Sequence, residues 1–196
     1  MQAARIERLE HIDQLPIVWK LTHDAFVSEG YCAPQPDGLL KHHLALDITN
    51  GQLNRNTTIL ISYVDDKPVA TCSLTLDSEF GLHTDKAFRD ETDRFRLECK
   101  QQGLILASSW RIVTTRDVSP RITMNLIHET LLLSIEKDVD ILLCTFNPKH
   151  KKFYCKRLGM EFVAQSDNET GLVNAPTVLL KLCKESYGKY NTKFVS

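Results

Sequence analysis

Tyr154 stands inside a dense run of cations in "NPKHKKFYCKRLG", flanked by Lys149, His150, Lys151, Lys152, Lys156 and Arg157. A phenol titrates near pH 10, so it is protonated at neutral pH, as a proton donor must be. The surrounding charge is a local feature. Lys and Arg number 24 against 25 Asp and Glu, a formal charge of -1, which excludes a global attraction to nucleic acid or an anionic membrane. A single short cluster also lacks the aromatic interleaving expected of a nucleic-acid site. Two plain alternatives stand beside these readings: an aromatic next to Phe153 that only packs, and a basic helical face that is only solvated.

The remaining reactive side chains suggest less. His42 and His43 are adjacent, a pairing expected on the surface. Cys32, Cys72, Cys99, Cys144, Cys155 and Cys183 form no C-x-x-C pair and show no metal-ligand spacing with the histidines, so no metal site is expected. Several lie in apolar strand patterns, as small buried hydrophobes that suit a reducing cytoplasm. The N-terminal "MQAARIERLEHIDQLP" has no uninterrupted apolar core, and no stretch approaches the length of a membrane span. A cytoplasmic protein is expected.

The elements that must position these groups follow from periodicity. The run Ile141 to Phe146 suits a buried strand. Asn147 and Pro148 are an N-cap and first-turn pair, Gly159 a helix stop, and "MEFV" another strand. "PIVWKLTHDAFVSEGYC" places Ile17, Val18, Leu21, Ala25 and Phe26 on one helical face, ended by Gly30. "TTILISYV" and "PVATCSLTL" form an antiparallel hairpin around "DDK". "DKAFRDETDRFRLECKQQG" reads as a helix along one sheet edge, stopping at Gly103. "LILASSWRIVTT" is a strand, and Ser119 and Pro120 open a strongly apolar helix to Lys137. "QSDNETGLVN" is a polar loop and "APTVLLKLCK" a last strand. With 196 residues and 42% hydrophobic content, the chain is expected to fold as one domain, 1–196.

This order resembles the carboxy-terminal half of the GCN5-related N-acetyltransferase fold, an α/β fold with a mixed, mostly antiparallel central sheet flanked by helices. The pieces "VWKLTHDAFVSEGY", "LDSEFGLHTDKAFRDETDRFR", "LASSWRIV" and "NPKHKKFYCKRLGMEF" resemble, from about Val18 to Leu182, the long-chain N-acyl amino acid synthases, relatives of the acyl-homoserine-lactone autoinducer synthases. The resemblance implies transfer of a fatty acyl group from an acyl carrier protein thioester to the amine of an amino acid or similar acceptor. It places Tyr154 as the acid for the leaving thiolate, with Asn147 near the pantetheine arm. The backbone of Arg111, Ile112 and Val113 matches the splayed strand that bonds the pantetheine amides.

Acetyl-CoA enzymes usually carry a glycine-rich turn after that strand, whereas "TTRDVSPRITM" has none. Arg116 and Arg121 fit a single pantetheine phosphate better than a nucleotide. The relatives' strand glutamate is missing among Ala107, Ser108, Ser109 and Trp110, so Glu29 and Asp37 are the substitutes for a base. Lys20 is expected to orient a substrate carboxylate, and Trp110 to contact substrate. Lys149, Lys151, Lys152 and Lys156 are expected to dock the acidic carrier. No tightly bound cofactor is expected; the donor is an acyl-phosphopantetheine on acyl carrier protein, or acyl-CoA. The alternatives are an acetyl-CoA-dependent N-acetyltransferase and a non-catalytic acyl-carrier or lipid-binding relative.

Overall fold

The computed structural model describes residues 4–167 and 173–189. The chain forms β1 (Ala4–Arg8), α1 (Leu15–Ser28), α2 (Leu44–Asp47), β2 (Ile48–Thr49), β3 (Gln52–Leu53), β4 (Thr57–Val64), β5 (Lys67–Leu76) and α3 (Arg89–Gln102). After these come β6 (Leu106–Thr114), α4 (Pro120–Glu136), β7 (Ile141–Phe146), α5 (Lys151–Leu158), β8 (Glu161–Ser166) and β9 (Thr177–Cys183). Seven strands make one sheet in the order β1-β4-β5-β6-β7-β9-β8, and β2 with β3 forms a separate ribbon.

Local chemistry explains most boundaries. Asp65 and Asp66 both take positive φ (49° and 59°), giving β4–β5 a two-residue turn whose twist matches the strands. Gly103 and Gly159 end α3 and α5 in the left-handed conformation. The Ser119 hydroxyl accepts from Arg121 N at 3.3 Å, capping α4. The helix expected from Pro148 begins as a 3-10 turn, Pro148–His150, before α5. β1 was not signalled: "ARIER" is a short, charged edge strand without a continuous apolar face. The loop reading of "QSDNETGLVN" falls partly on 168–172, outside the described residues.

The two sheet faces bury different helices. Ala107, Leu142, Cys144, Leu180 and Leu182 point toward α4 and α5, meeting Ile127, Leu131 and Leu158. Leu106, Ile141, Leu143 and Leu179 point the other way, toward Phe95 and Cys99 of α3. Helix α3 therefore lies across a sheet face and not along an edge. Its Phe95 and Cys99 meet three neighbouring strands, which only a face presents.

β6 and β7 are parallel because α4 crosses over between them. Their ladder runs only from Leu106 opposite Ile141 to Ser109 opposite Cys144. Beyond it, Arg111 takes φ 57°, and the β5–β6 register slips between Thr71 and Ser73. This β-bulge turns β6 away at the point where β7 leaves it.

Candidate functional site

The parting of β6 and β7 opens a cavity of about 350 Å³, within the usual range for a small-molecule site. Its walls come from the end of α1 and its C-cap (Ala25, Phe26, Glu29), from Tyr31, from 110–114 of β6, from 145–147 with Lys149, His150 and Tyr154, and from 175–177. The lining mixes apolar side chains with phenol, imidazole, amide and hydroxyl groups.

Beneath the bulge, the Arg111 side chain is fully buried and turned away from the cavity. Its guanidinium forms a fork with Asp47 (3.0 and 2.9 Å), and the Trp19 indole N–H donates to the same carboxylate at 2.8 Å. Both charged side chains are 0% exposed. The guanidinium also stands 4.1 Å from the centre of the Trp110 ring. Arg111 therefore meets the cavity through its backbone. Asp47 was not anticipated; only the fold brings it to a residue 64 positions away.

Tyr154 lines the cavity from α5, its ring stacked on Phe146 at 3.7 Å and 18°. Burial, with smaller effects from Cys144 and Cys72, pushes its phenol well above the ordinary value, so the proton is firmly held. Asn147 caps the next turn by accepting from Lys149 N (3.0 Å) and donates its amide to the Tyr31 hydroxyl at 2.6 Å. Trp110 lines the floor, with its indole N–H on Thr75 Oγ1 at 2.9 Å.

Glu29 is present at the rim, but Lys149 donates to it at 2.9 Å and Arg116 stands 3.9 Å away. The Lys149 hydrogen bond and charge lower the Glu29 pKa, with Arg116 adding a smaller share. Two residues expected in different roles, base and docking cation, are thus one ion pair. Asp37 is not brought to the cavity: it accepts from Leu39 N and pairs with Lys41 at 2.8 Å. Lys20 is likewise outside, paired with Asp24 at 2.7 Å. Arg121 stands in the first turn of α4, outside the lining, and Lys151, Lys152 and Lys156 lie outside it on α5. The Lys151 ammonium sits 3.3 Å from the centre of the exposed Phe162 ring.

The paired histidines depart from the surface expectation. His43 is buried, and His42 lines the cavity with its ring 4.3 Å from that of His43. Burial is the first cause lowering both pKa values well below 6.5, with Arg111 and Lys86 adding to it, so both rings are neutral at pH 7. His83 was missed altogether. It lies flat on Trp110 (5.5 Å, 8°) and meets Thr145 Oγ1 through Nε2 at 2.8 Å. A histidine within a polar connection carries no periodic signal. Among the described residues, no group of three or more His, Cys, Asp or Glu is placed to hold a metal ion.

Residues 18–183 match the family model described as N-acyl amino acid synthase FeeM. The structure of FeeM from uncultured soil microbes superposes with a TM-score of 0.77 at 20% identity, covering 96% of this chain and 95% of that one. BjaI, a CoA-dependent acyl-homoserine lactone synthase, gives 0.61 at 12% identity, with 98% and 90% covered. Escherichia coli ElaA gives 0.58 at 16% identity, with 91% and 99% covered. At these identities the solved structures establish the GCN5-related fold. The comparison with curated proteins finds no match.

Proposed function

The chain belongs to the FeeM family of N-acyl amino acid synthases and is an N-acyltransferase, and from that premise we propose that it takes a fatty acyl group from acyl carrier protein and joins it to the amine of an amino acid in the cavity between β6 and β7. The observation that carries this reading is the ladder that stops at Ser109 and Cys144 with Tyr154 facing the opening. Beyond that point the pantetheine arm lies along Arg111, Ile112 and Val113, whose backbone groups pair with its amides as an added strand would. Backbone N–H groups here also meet the thioester oxygen as it gains charge. Tyr154 gives its proton to the departing thiolate. Raising the phenol's pKa weakens it as an acid toward a thiolate, so the transfer runs uphill and is drawn forward by reprotonation of the phenolate from solvent.

The phosphate of the arm meets Arg116 and Arg121 near the capped start of α4, where the dipole favours an anion. The loop between β6 and α4 contains no glycine to wrap a pyrophosphate, which supports the carrier protein over coenzyme A. The basic face of α5 supports the same donor, since acyl carrier proteins are acidic. The single seven-stranded sheet supports 1–196 as one catalytic unit. No helix among the described residues is long and apolar enough to cross a membrane.

The test is a turnover assay with long-chain acyl carrier protein, the matching acyl-CoA and acetyl-CoA, each with pooled amino acids, read by mass spectrometry. A long-chain N-acyl amino acid made chiefly from the carrier-bound donor is the expected product. Equal specificity constants for the two long-chain donors would remove the carrier assignment. Acetylation alone would make it an acetyltransferase, and no product from any donor a binding protein.

A further inference from the structure

We propose that His83 is the base of the reaction: its Nε2 takes the proton from the acceptor amine as the new N–C bond forms. This rests on the acyl-transfer reading of the cavity and supplies the group that reading lacks. The imidazole sits where the strands part. Ser109 and Cys144 are the last paired residues of β6 and β7. The next residues, Trp110 and Thr145, both meet His83, one by stacking at 5.5 Å and the other by the 2.8 Å contact to Oγ1, and the His43 ring stands edge-on to it at 5.3 Å. His83 is 6% exposed and forms part of the cavity wall.

The segment around it is held on both sides. Arg96 of α3 donates through Nε to Asp77 (2.9 and 3.1 Å) and through Nη2 to Asp85 (3.0 Å to each oxygen). Asp85 accepts from Leu82 N at 2.8 Å, and Thr92 donates to Thr84 at 3.0 Å. Leu82 and Phe88 are buried against the sheet. Gly81 takes φ 74°, and a Cβ there would collide with the carboxylate of Asp85. A turn pinned on each side of one imidazole is what a base held in fixed geometry requires.

The carboxylates are otherwise engaged. Glu29 is held by Lys149, Asp47 is saturated by Arg111 and Trp19, and Asp37 stands outside the cavity. In the step itself, the neutral amine attacks the thioester carbonyl carbon, the N–C bond forms and the C–S bond breaks. One proton passes from nitrogen to His83 Nε2 and one from the Tyr154 hydroxyl to sulfur; exchange with solvent restores both. An acceptor that arrives as an ammonium first loses its extra proton to water. The Thr145 hydroxyl holds the ring in the resting protein and yields its place at Nε2 to the amine.

The experiment uses the full chain and the thioester donor that the wild type accepts, with two acceptors: its best amino acid, and hydroxylamine, a weakly basic nucleophile whose nitrogen, once bonded to the carbonyl carbon, is acidic enough to lose its proton to water. His83→Gln is expected to lower kcat for the amino acid by about a hundredfold or more, to leave the donor KM nearly unchanged, and to lose much less with hydroxylamine. In His83→Ala, free imidazole is expected to restore part of the lost rate through the slot on Trp110. Should glutamine disturb the turn, His83→Asn carries the same acceptor comparison. Wild-type kcat in the glutamine variant would overturn the proposal. So would equal losses with both acceptors and no rescue by imidazole, which would leave His83 a packing residue. A wild type that acylates neither acceptor overturns the acyl-transfer reading itself, a failure visible before any variant is made.

Discussion

Two buried groups show how environment assigns roles to single residues. Tyr154 is an aromatic among aromatics, yet it is placed on the cavity and kept protonated by burial. Tyr154→Phe keeps the ring on Phe146 and removes only the hydroxyl, so turnover should fall by about a hundredfold with an unchanged melting temperature. Normal turnover would assign the residue to packing. Asp47 works differently. It neutralises a guanidinium with no access to water, beside a backbone held at φ 57°. Asp47→Ala would strand that charge and should cost about 3–5 kcal/mol of stability, read from urea unfolding. An Asp47→Leu, Arg111→Met pair, which removes both charges, should recover most of the loss; a single variant as stable as wild type would show the pair to be dispensable.

At the scale of elements, the proposed reading divides the handling of the donor between the bulge in β6 and the basic face of α5. On that reading the backbone freed where the β6–β7 ladder ends takes the arm, and α5 presents charge to whatever brings it. Lys149 belongs to the cavity rim through Glu29, so on the proposed reading the docking charge falls to Lys151, Lys152 and Lys156. Replacing these three with glutamine should lower the specificity constant for acyl carrier protein and flatten its decline with salt, because exposed charges attract over only about 8–10 Å at ordinary ionic strength. A short pantetheine thioester bypasses the surface and should react equally with both proteins. Identical salt responses with the full carrier would reduce the basic face to a solvated surface.

The whole molecule adds a pH dependence that no single element has. His42 and His43 are kept neutral by burial, with Arg111 of β6, Lys86 and His83 pressing from other segments. Their folded pKa values lie below 6.5, so above that pH neither state binds the protons and stability is flat. As pH falls through about 6.5, the unfolded imidazoles protonate and the folded ones do not. Stability should therefore decline until the folded rings protonate in turn. Denaturant midpoints between about pH 8 and 5 check this, and a His42→Asn, His43→Asn double variant should show a shallower decline. An unchanged slope would place the acid sensitivity elsewhere. The residue string alone carried strands β4 to β9, the hairpin turn, the capped start of α4 and the glycine stop of α5, because periodicity, N-caps and left-handed glycines are local and act over a few residues. It carried the family too, since four separated segments in order are a linear signal. The ion pairs that bind Glu29 to Lys149 and Asp47 to Arg111, the burial of His42 and His43 and the arrival of His83 at the fork were not legible, because each joins residues far apart in the chain. Burial and pairing exist only once the sheet has assembled, and they turn ordinary polar residues into a site.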